Sequence, residues 1–184
     1  MQDMQGMIVS NPVNIRYLTG ILAEGLLLIT RKENIFLTDA RYIEEVNSTL
    51  TIDDEIIVYE FKDFSKDEYE NFFLFCENVG FEEDYVTYSK YKQYMHEFKI
   101  NNLQETEKVI EKQRMIKDEE EIEKISKACE ITDNCFKYLL DYIKVGQTEK
   151  EIAFEIEKYF RTHGAEDRAF ETIVASGKNS SKPH

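Results

Sequence analysis

"GLLLITRKENIFLTDARYIEEV", from Gly25 to Val46, decides the fold class. "GLLLIT" and "NIFLTD" are apolar runs separated by the polar "RKE", which reads as two strands joined by a tight connection. The first is apolar on both faces, as a strand in the middle of a sheet must be. "ARYIEEVNS" then changes to helical spacing, with Ala40, Ile43 and Val46 on one side. Upstream, "MIVS" (Met7–Ser10) is a short strand stopped by Asn11-Pro12, and "NIRYLTG" fits one or two helical turns closed by Gly20. Downstream, "EIIVYEF" is a strand. "SKDEYENFFLFCENVG" reads as one helix, capped by Ser65 with Glu68 three residues on and ended by Gly80. "VGFEE" and "YVTY" are short β candidates, and "SKYKQYMHEF" is a helix with Tyr91, Tyr94, Met95 and Phe98 at 3–4 spacing. Strands alternating with helices indicate an α/β domain.

The texture changes near residue 105. "TEKVIEKQRMIKDEEEIEKI" is continuous charged helix-former sequence, and it reads as a connector. Asp118 and Glu121 form a capping-box pair that restarts the helix after a bend. Ile122, Ile125, Cys129, Thr132, Phe136, Leu139, Leu140 and Ile143 then mark one face of a long amphipathic helix that Gly146 stops. Thr148 caps the next helix with Glu151 at the box position, Ile152, Ile156, Tyr159 and Phe160 form its buried side, and Gly164 closes it. "AFETIVAS" alternates as a strand. The domains expected are therefore 1–113, with the linker helix, and 114–184. One strand cannot pair with itself, and two amphipathic helices need a sheet to cover, so the second unit is expected to be incomplete. Its apolar faces, led by Ile125, Phe136, Ile156 and Phe160, would then lack their sheet and favour self-association through residues 118–177.

Composition narrows the partners. Residues 1–113 hold 11 Lys and Arg against 22 Asp and Glu, and the whole chain carries a net charge of −14. No basic stripe exists, so nucleic acid is not an expected partner. Cys76, Cys129 and Cys135 are odd in number and irregular in spacing, so they read as buried reduced thiols rather than a disulfide framework. The longest apolar run, "GILAEGLLLIT", is broken by Glu24 and Gly25 and is too short to span a bilayer. With no signal-peptide layout at the front, the chain reads as cytoplasmic.

Few residues can carry chemistry. None of the three histidines sits in an HExxH arrangement, and Cys-x-x-Cys, Walker and Gly-x-Gly-x-x-Gly patterns are absent. His96 reads as a packing or surface residue of an aromatic helix. His163 precedes the glycine that ends its helix, where an imidazolium meets the negative helix end. His184 follows a loop of small donors, Gly177, Asn179, Ser180 and Ser181, and Pro183 fixes the backbone before it. On residues alone it reads either as an ordinary loop histidine or as a catalytic one. "DEEEIE" (Asp118–Glu123) reads as a solvated helix start, since one short run cannot wrap a cation. Arg41, beside Asp39 in "TDARY", is either a surface arginine next to a capping aspartate or a group suited to bidentate carboxylate recognition.

Two stretches carry a resemblance. "NPVNIRYLTG…GLLLIT…IFLTDARYIEEV" resembles the N-terminal, mixed-sheet domain of the creatinase/Xaa-Pro peptidase family. "RMIKDEEEIEKISKACEITDNCFKYLL…IKVGQTEKEIAFEIEKYFRTHGA…FETIVASGKNSSKPH" is similar to the opening of that family's pita-bread (α+β) catalytic domain. The resemblance implies an α/β first domain followed by an incomplete pita-bread domain. It implies a metallopeptidase, an Xaa-Pro aminopeptidase or dipeptidase, that hydrolyses the bond before proline in a peptide or dipeptide substrate.

The family enzymes hold two divalent metal ions, Mn, Co or Zn, on two aspartates, one histidine and two glutamates, all placed after the "PH" motif. No metal is therefore expected in this chain, which is expected to be inactive alone. His184 matches the family histidine beside the metal centre, which binds substrate and stabilises the transition state. Arg41 falls in a motif near the dimer-facing side of the first domain, which implies a substrate-binding role at a partner subunit's site in a homodimer. "MQDMQG" is too short to supply the helix that family members carry before the first strand. The alternative is a non-catalytic peptide-binding or dimerisation module of the same fold.

Overall fold

The two strands read from Gly25–Val46 lie inside a six-stranded sheet in the computed structural model, which describes residues 4–50 and 55–182. β1 (Gly6–Val9) leads into α1 (Pro12–Thr19), β2 (Gly25–Thr30), β3 (Asn34–Thr38), α2 (Ile43–Thr49) and β4 (Ile56–Glu60). Then come α3 (Lys66–Asn71), β5 (Val79–Phe81), α4 (Tyr88–Glu97), β6 (Leu103–Glu105) and α5 (Val109–Met115), all within a first compact unit, residues 1–116. The strand order is β4-β3-β2-β1-β5-β6. β2 runs antiparallel to both neighbours and the remaining pairs are parallel.

The pleat sorts the apolar residues into two cores. Ile8, Leu28, Ile35 and Leu37 face one way, onto Phe64, Phe73, Tyr94 and Phe98. Val9, Leu27 and Phe36 face the other way, onto Ile15, Val46 and Ile110. β2 is apolar on both faces because both are covered, and each fully buried side chain of this size contributes about 1.5–3 kcal/mol. Gly25 is dictated by a close approach: a Cβ there would lie 2.4 Å from the Leu37 carbonyl oxygen and 2.6 Å from the Phe36 ring. Gly20 ends α1 in the left-handed conformation, φ 73°, and donates its N–H to the Arg16 carbonyl.

A buried polar cluster fastens α5 to this unit. The Asn14 side chain, fully buried, donates to Glu82 Oε1 at 2.7 Å and to Glu111 Oε1 at 2.6 Å, and accepts from Arg114 at 3.0 Å. Glu82, 4% exposed, also accepts the backbone N–H groups of Ser10 (2.6 Å) and Asn11 (2.8 Å). A buried carboxylate is tolerated here because it is surrounded by donors.

Several expectations are corrected. The helix read from Ser65 to Gly80 keeps its capping box but stops at Asn71, and Gly80 is the middle residue of β5. The aromatic run Phe72–Phe75 leaves the helix so that Phe73 can enter the core beside Phe98, at a ring separation of 5.4 Å. "YVTY" is not a strand: Tyr85 and Val86 form a turn onto Glu82, and Thr87 caps α4. β6 was not read from the sequence, since three residues are too few to show alternation. The charged connector, by contrast, bends where expected: Ile116 turns extended after α5 and Asp118 restarts the helix.

The second unit, residues 117–184, holds α6 (Glu119–Tyr142), α7 (Glu149–Thr162) and a 3-10 turn (Gly177–Ser181). Both capping boxes read from the sequence are formed, Asp118 with Glu121 and Thr148 with Glu151. α6 and α7 meet through Cys135, Tyr138, Glu155 and Tyr159. The Tyr138 and Tyr159 rings stack at 5.2 Å, and Tyr138 donates its hydroxyl to Glu155 at 3.0 Å. Lys158 beside Glu155 holds that carboxyl below its usual range. Burial pushes the Cys135 thiol up, whereas Cys129, expected to be buried, is exposed. The strand read from "AFETIVAS" is not formed, since among the described residues no other segment of this unit offers it a ladder.

Candidate functional site

The loop that approaches His184 is held by one carboxylate. Glu149 is the first residue of α7, where negative charge meets unsatisfied N–H groups and the positive helix end. Its Oε1 accepts the Ser176 backbone N–H at 2.7 Å, and Asn179 Nδ2 donates to Oε2 at 2.9 Å and to Oε1 at 3.1 Å. These contacts pin the 3-10 turn to the start of α7. The Ser176 N–H and the Asn179 amide also hold the Glu149 carboxyl below its usual range. Gly177, at φ 53°, makes the left-handed turn between Ser176 and the 3-10 residues. His184 itself lies outside the described residues. Glu149 was missed by sequence reasoning, because an acidic residue at a helix start looks the same whether or not a loop 27 residues later folds onto it.

Arg41 sits just past the end of β3. Its Nε donates to Asp39 Oδ1 at 2.9 Å and its Nη2 to Asp39 Oδ2 at 2.6 Å, a bidentate fork, while its backbone N–H donates to Oδ1 at 2.8 Å. Glu24 lies 3.5 Å from the same guanidinium. Asp39 therefore does not cap α2, which Tyr42 precedes with no side-chain cap; it closes a turn around Arg41 instead. The guanidinium holds the Asp39 carboxyl below its usual range and is itself raised. The Arg41 side chain is 68% exposed, so it is aimed by Asp39 and still faces solvent.

The other histidines occupy structural places. His163 follows α7, its ring stacked on Tyr159 at 3.7 Å with Nδ1 2.8 Å from the Tyr159 carbonyl oxygen, which agrees with a helix-end role. His96 is exposed in the last turn of α4.

The described residues do not fit a pair of divalent metals. Among them no group of three or more His, Cys, Asp or Glu side chains is gathered in one place. Asp118 and Glu121, the most clustered in sequence, accept each other's backbone N–H groups in the helix cap. Also among the described residues, no helix is long and apolar enough to cross a membrane.

A mixed six-stranded α/β unit followed by two capped helices and a glycine-serine loop defines a class. Residues 1–116 match the creatinase/prolidase N-terminal domain family and residues 123–184 match metallopeptidase family M24. The chain belongs to the creatinase/prolidase family. It is 34% identical over 184 residues to YqhT of Bacillus subtilis (strain 168), described as an uncharacterized peptidase, covering 98% of this chain and 51% of that protein. It is 31% identical over 179 residues to the Xaa-Pro dipeptidase of Pyrococcus furiosus, covering 96% and 49% respectively. The solved structure of the Xaa-Pro dipeptidase from Bacillus anthracis superposes with a TM-score of 0.84 at 31% identity, over 98% of this chain and 51% of that one. The chain spans about half the length of the curated relatives it matches.

Proposed function

We propose that this chain is the N-terminal half of a metal-dependent Xaa-Pro peptidase, of dipeptidase or aminopeptidase type, that hydrolyses the bond before proline. Residues 1–113 are its N-terminal domain and 114–184 the opening of its catalytic domain. The observation that carries this reading is the superposition of nearly the whole chain on a Bacillus anthracis Xaa-Pro dipeptidase. The order of the two family matches along the chain supports it. His184 is assigned the role of a catalytic group that binds the substrate and stabilises the transition state. Arg41, aimed by Asp39, is assigned substrate binding at a partner subunit's site in a cytoplasmic homodimer.

Two divalent metals, Mn, Co or Zn, would supply the activated water when bound to the whole enzyme. Since the described residues gather no ligand set for them, the 184-residue chain alone is assigned no peptidase activity.

Two measurements test the proposal. The coding frame past the His184 codon is expected to continue into two aspartates, a histidine and two glutamates; a stop codon there would overturn the assignment of this chain to a working peptidase. The purified 184-residue chain is expected to release no proline from Xaa-Pro dipeptides with Mn, Co or Zn added. Metal-dependent release that follows the intact chain through purification, and that His184→Ala abolishes, would show that the half-chain needs no further ligands.

A further inference from the structure

The two edges of the first unit's sheet differ in how they are closed. On one side β6 is three residues long, and its Leu103 carbonyl oxygen, which points outward, accepts the Tyr91 hydroxyl at 3.4 Å. On the other side β4 is five residues long and pairs only with β3, in unbroken register from Ile56 to Glu60. Just beyond it, Phe61 donates its N–H to the Thr38 carbonyl at 2.9 Å. Alternate residues of a parallel strand bond to the same neighbour, so this bond marks Ile57 and Tyr59 as the residues tied to β3. Both backbone groups of Val58, the Ile56 carbonyl and the Glu60 N–H therefore point away from the sheet. Among the described residues, none of these groups meets a hydrogen-bond partner.

The edge selects its occupant. A row of free strand N–H and C=O groups is a template for another strand, and native proteins blunt it with lysine, proline or a bulge. None of these devices falls within Ile56–Glu60, whose sequence IIVYE favours strand pairing, and Ile57 is 46% exposed. The strand is also complementary to itself. Laid antiparallel on a second copy about a two-fold axis at Val58, the N–H and carbonyl of Val58 exchange bonds with those of the other copy's Val58. Glu60 N–H then meets the other copy's Ile56 carbonyl, and the reverse. The same register sets Ile57 opposite Tyr59 on one face, a β-branched side chain against an aromatic ring. Glu60, the only charge in the strand, falls opposite Ile56 rather than another acid, and Lys62 lies 2.7 Å from it.

We propose that two copies of this chain join through their β4 strands, antiparallel with Val58 at the centre, so that the sheets of both first units become one. This surface is separate from residues 118–177 and from the peptidase reading, and it stands or falls without either.

The test is amide hydrogen exchange of the 184-residue chain, read residue by residue by NMR at micromolar and at millimolar concentration. The Val58 and Glu60 amides are expected to exchange about tenfold more slowly at the higher concentration. Ile57 and Tyr59, bonded to β3 within one chain, should not change. This alternation needs no variant, and association through residues 118–177 cannot produce it. Ile57→Lys puts a charge at an exposed position and removes the pair with Tyr59 from both copies, so the concentration of half-protection should rise about tenfold. Val58→Pro deletes an N–H that β3 does not use and should abolish the concentration dependence. Thermal unfolding checks that each variant folds, and if Val58→Pro does not, the exchange pattern and Ile57→Lys decide. The proposal is overturned if Val58 and Glu60 exchange at the same rate at both concentrations, whether the chain stays monomeric or gains mass through another surface. It is equally overturned if protection appears but Ile57→Lys leaves its midpoint unchanged.

Discussion

Glu149 shows how much a single carboxylate can organise. Its pKa lies below the usual glutamate range because folding supplies donors to the ionised form, the Ser176 N–H first and the Asn179 amide next. A depressed folded pKa contributes stability that is fully present above the unfolded pKa and is lost as pH falls through the folded one. The Ser176 amide resonance is therefore expected to titrate with a midpoint below that of an ordinary glutamate. In Glu149→Gln the titration should vanish and the turn should lose protection from hydrogen exchange; an unchanged titration would assign the shift to another acid. Gly25 makes the complementary point about space. A methyl group there meets the Leu37 carbonyl at 2.4 Å, so Gly25→Ala is expected to cost about 1–3 kcal/mol in urea unfolding.

At the scale of elements, the polar cluster around Asn14 joins three pieces distant in sequence: α1, the end of β5 and α5. Asn14→Ala removes the donor to two carboxylates, one of them buried, and opens a fully buried position. It is expected to cost about 1–3 kcal/mol, measured by denaturant titration. The cost should fall on the first unit, with earlier exchange of the α5 amides as its signature. Unaltered α5 protection would mean that Ile110, packed in the core beneath, holds this helix without the polar contacts. α6 and α7 depend less on burial and more on their ends. Both carry complete capping boxes, and their contact is a narrow aromatic seam with one satisfied glutamate.

On the scale of the whole molecule, the two units differ in what they have buried. The first covers both faces of its sheet, with cores around Leu28 and Phe36. The second leaves Phe136 63%, Phe154 69% and Phe170 80% exposed, along with Ile122, Ile125 and Leu140. Exposed apolar side chains on this scale favour association. The purified chain is expected to self-associate through residues 118–177, seen as a mass that rises with concentration in light scattering. A monomer at all concentrations, with that region resistant to protease, would contradict it.

What the sequence determined by itself was what local chemistry controls. The apolar runs "GLLLIT" and "NIFLTD", parted by a polar turn, marked two adjacent strands, and Ser65, Asp118 and Thr148 marked three helix starts, because a strand's buried faces and a helix cap are each written within a few consecutive residues. The family resemblance was likewise carried by contiguous motifs. Tertiary structure decided whatever required a partner far along the chain. The helix after Ser65 ended early because Phe73 was worth more in the core than in the helix, and β6 existed because β5 lay beside it. "AFETIVAS" stayed out of a ladder because, among the described residues, no strand stood next to it. The roles of Glu82 and Glu149 also emerged only when backbone N–H groups some 72 and 27 residues away in sequence were brought to them. A hydrogen bond across that separation has no spacing in the sequence to betray it, since folding alone sets which donor meets which acceptor.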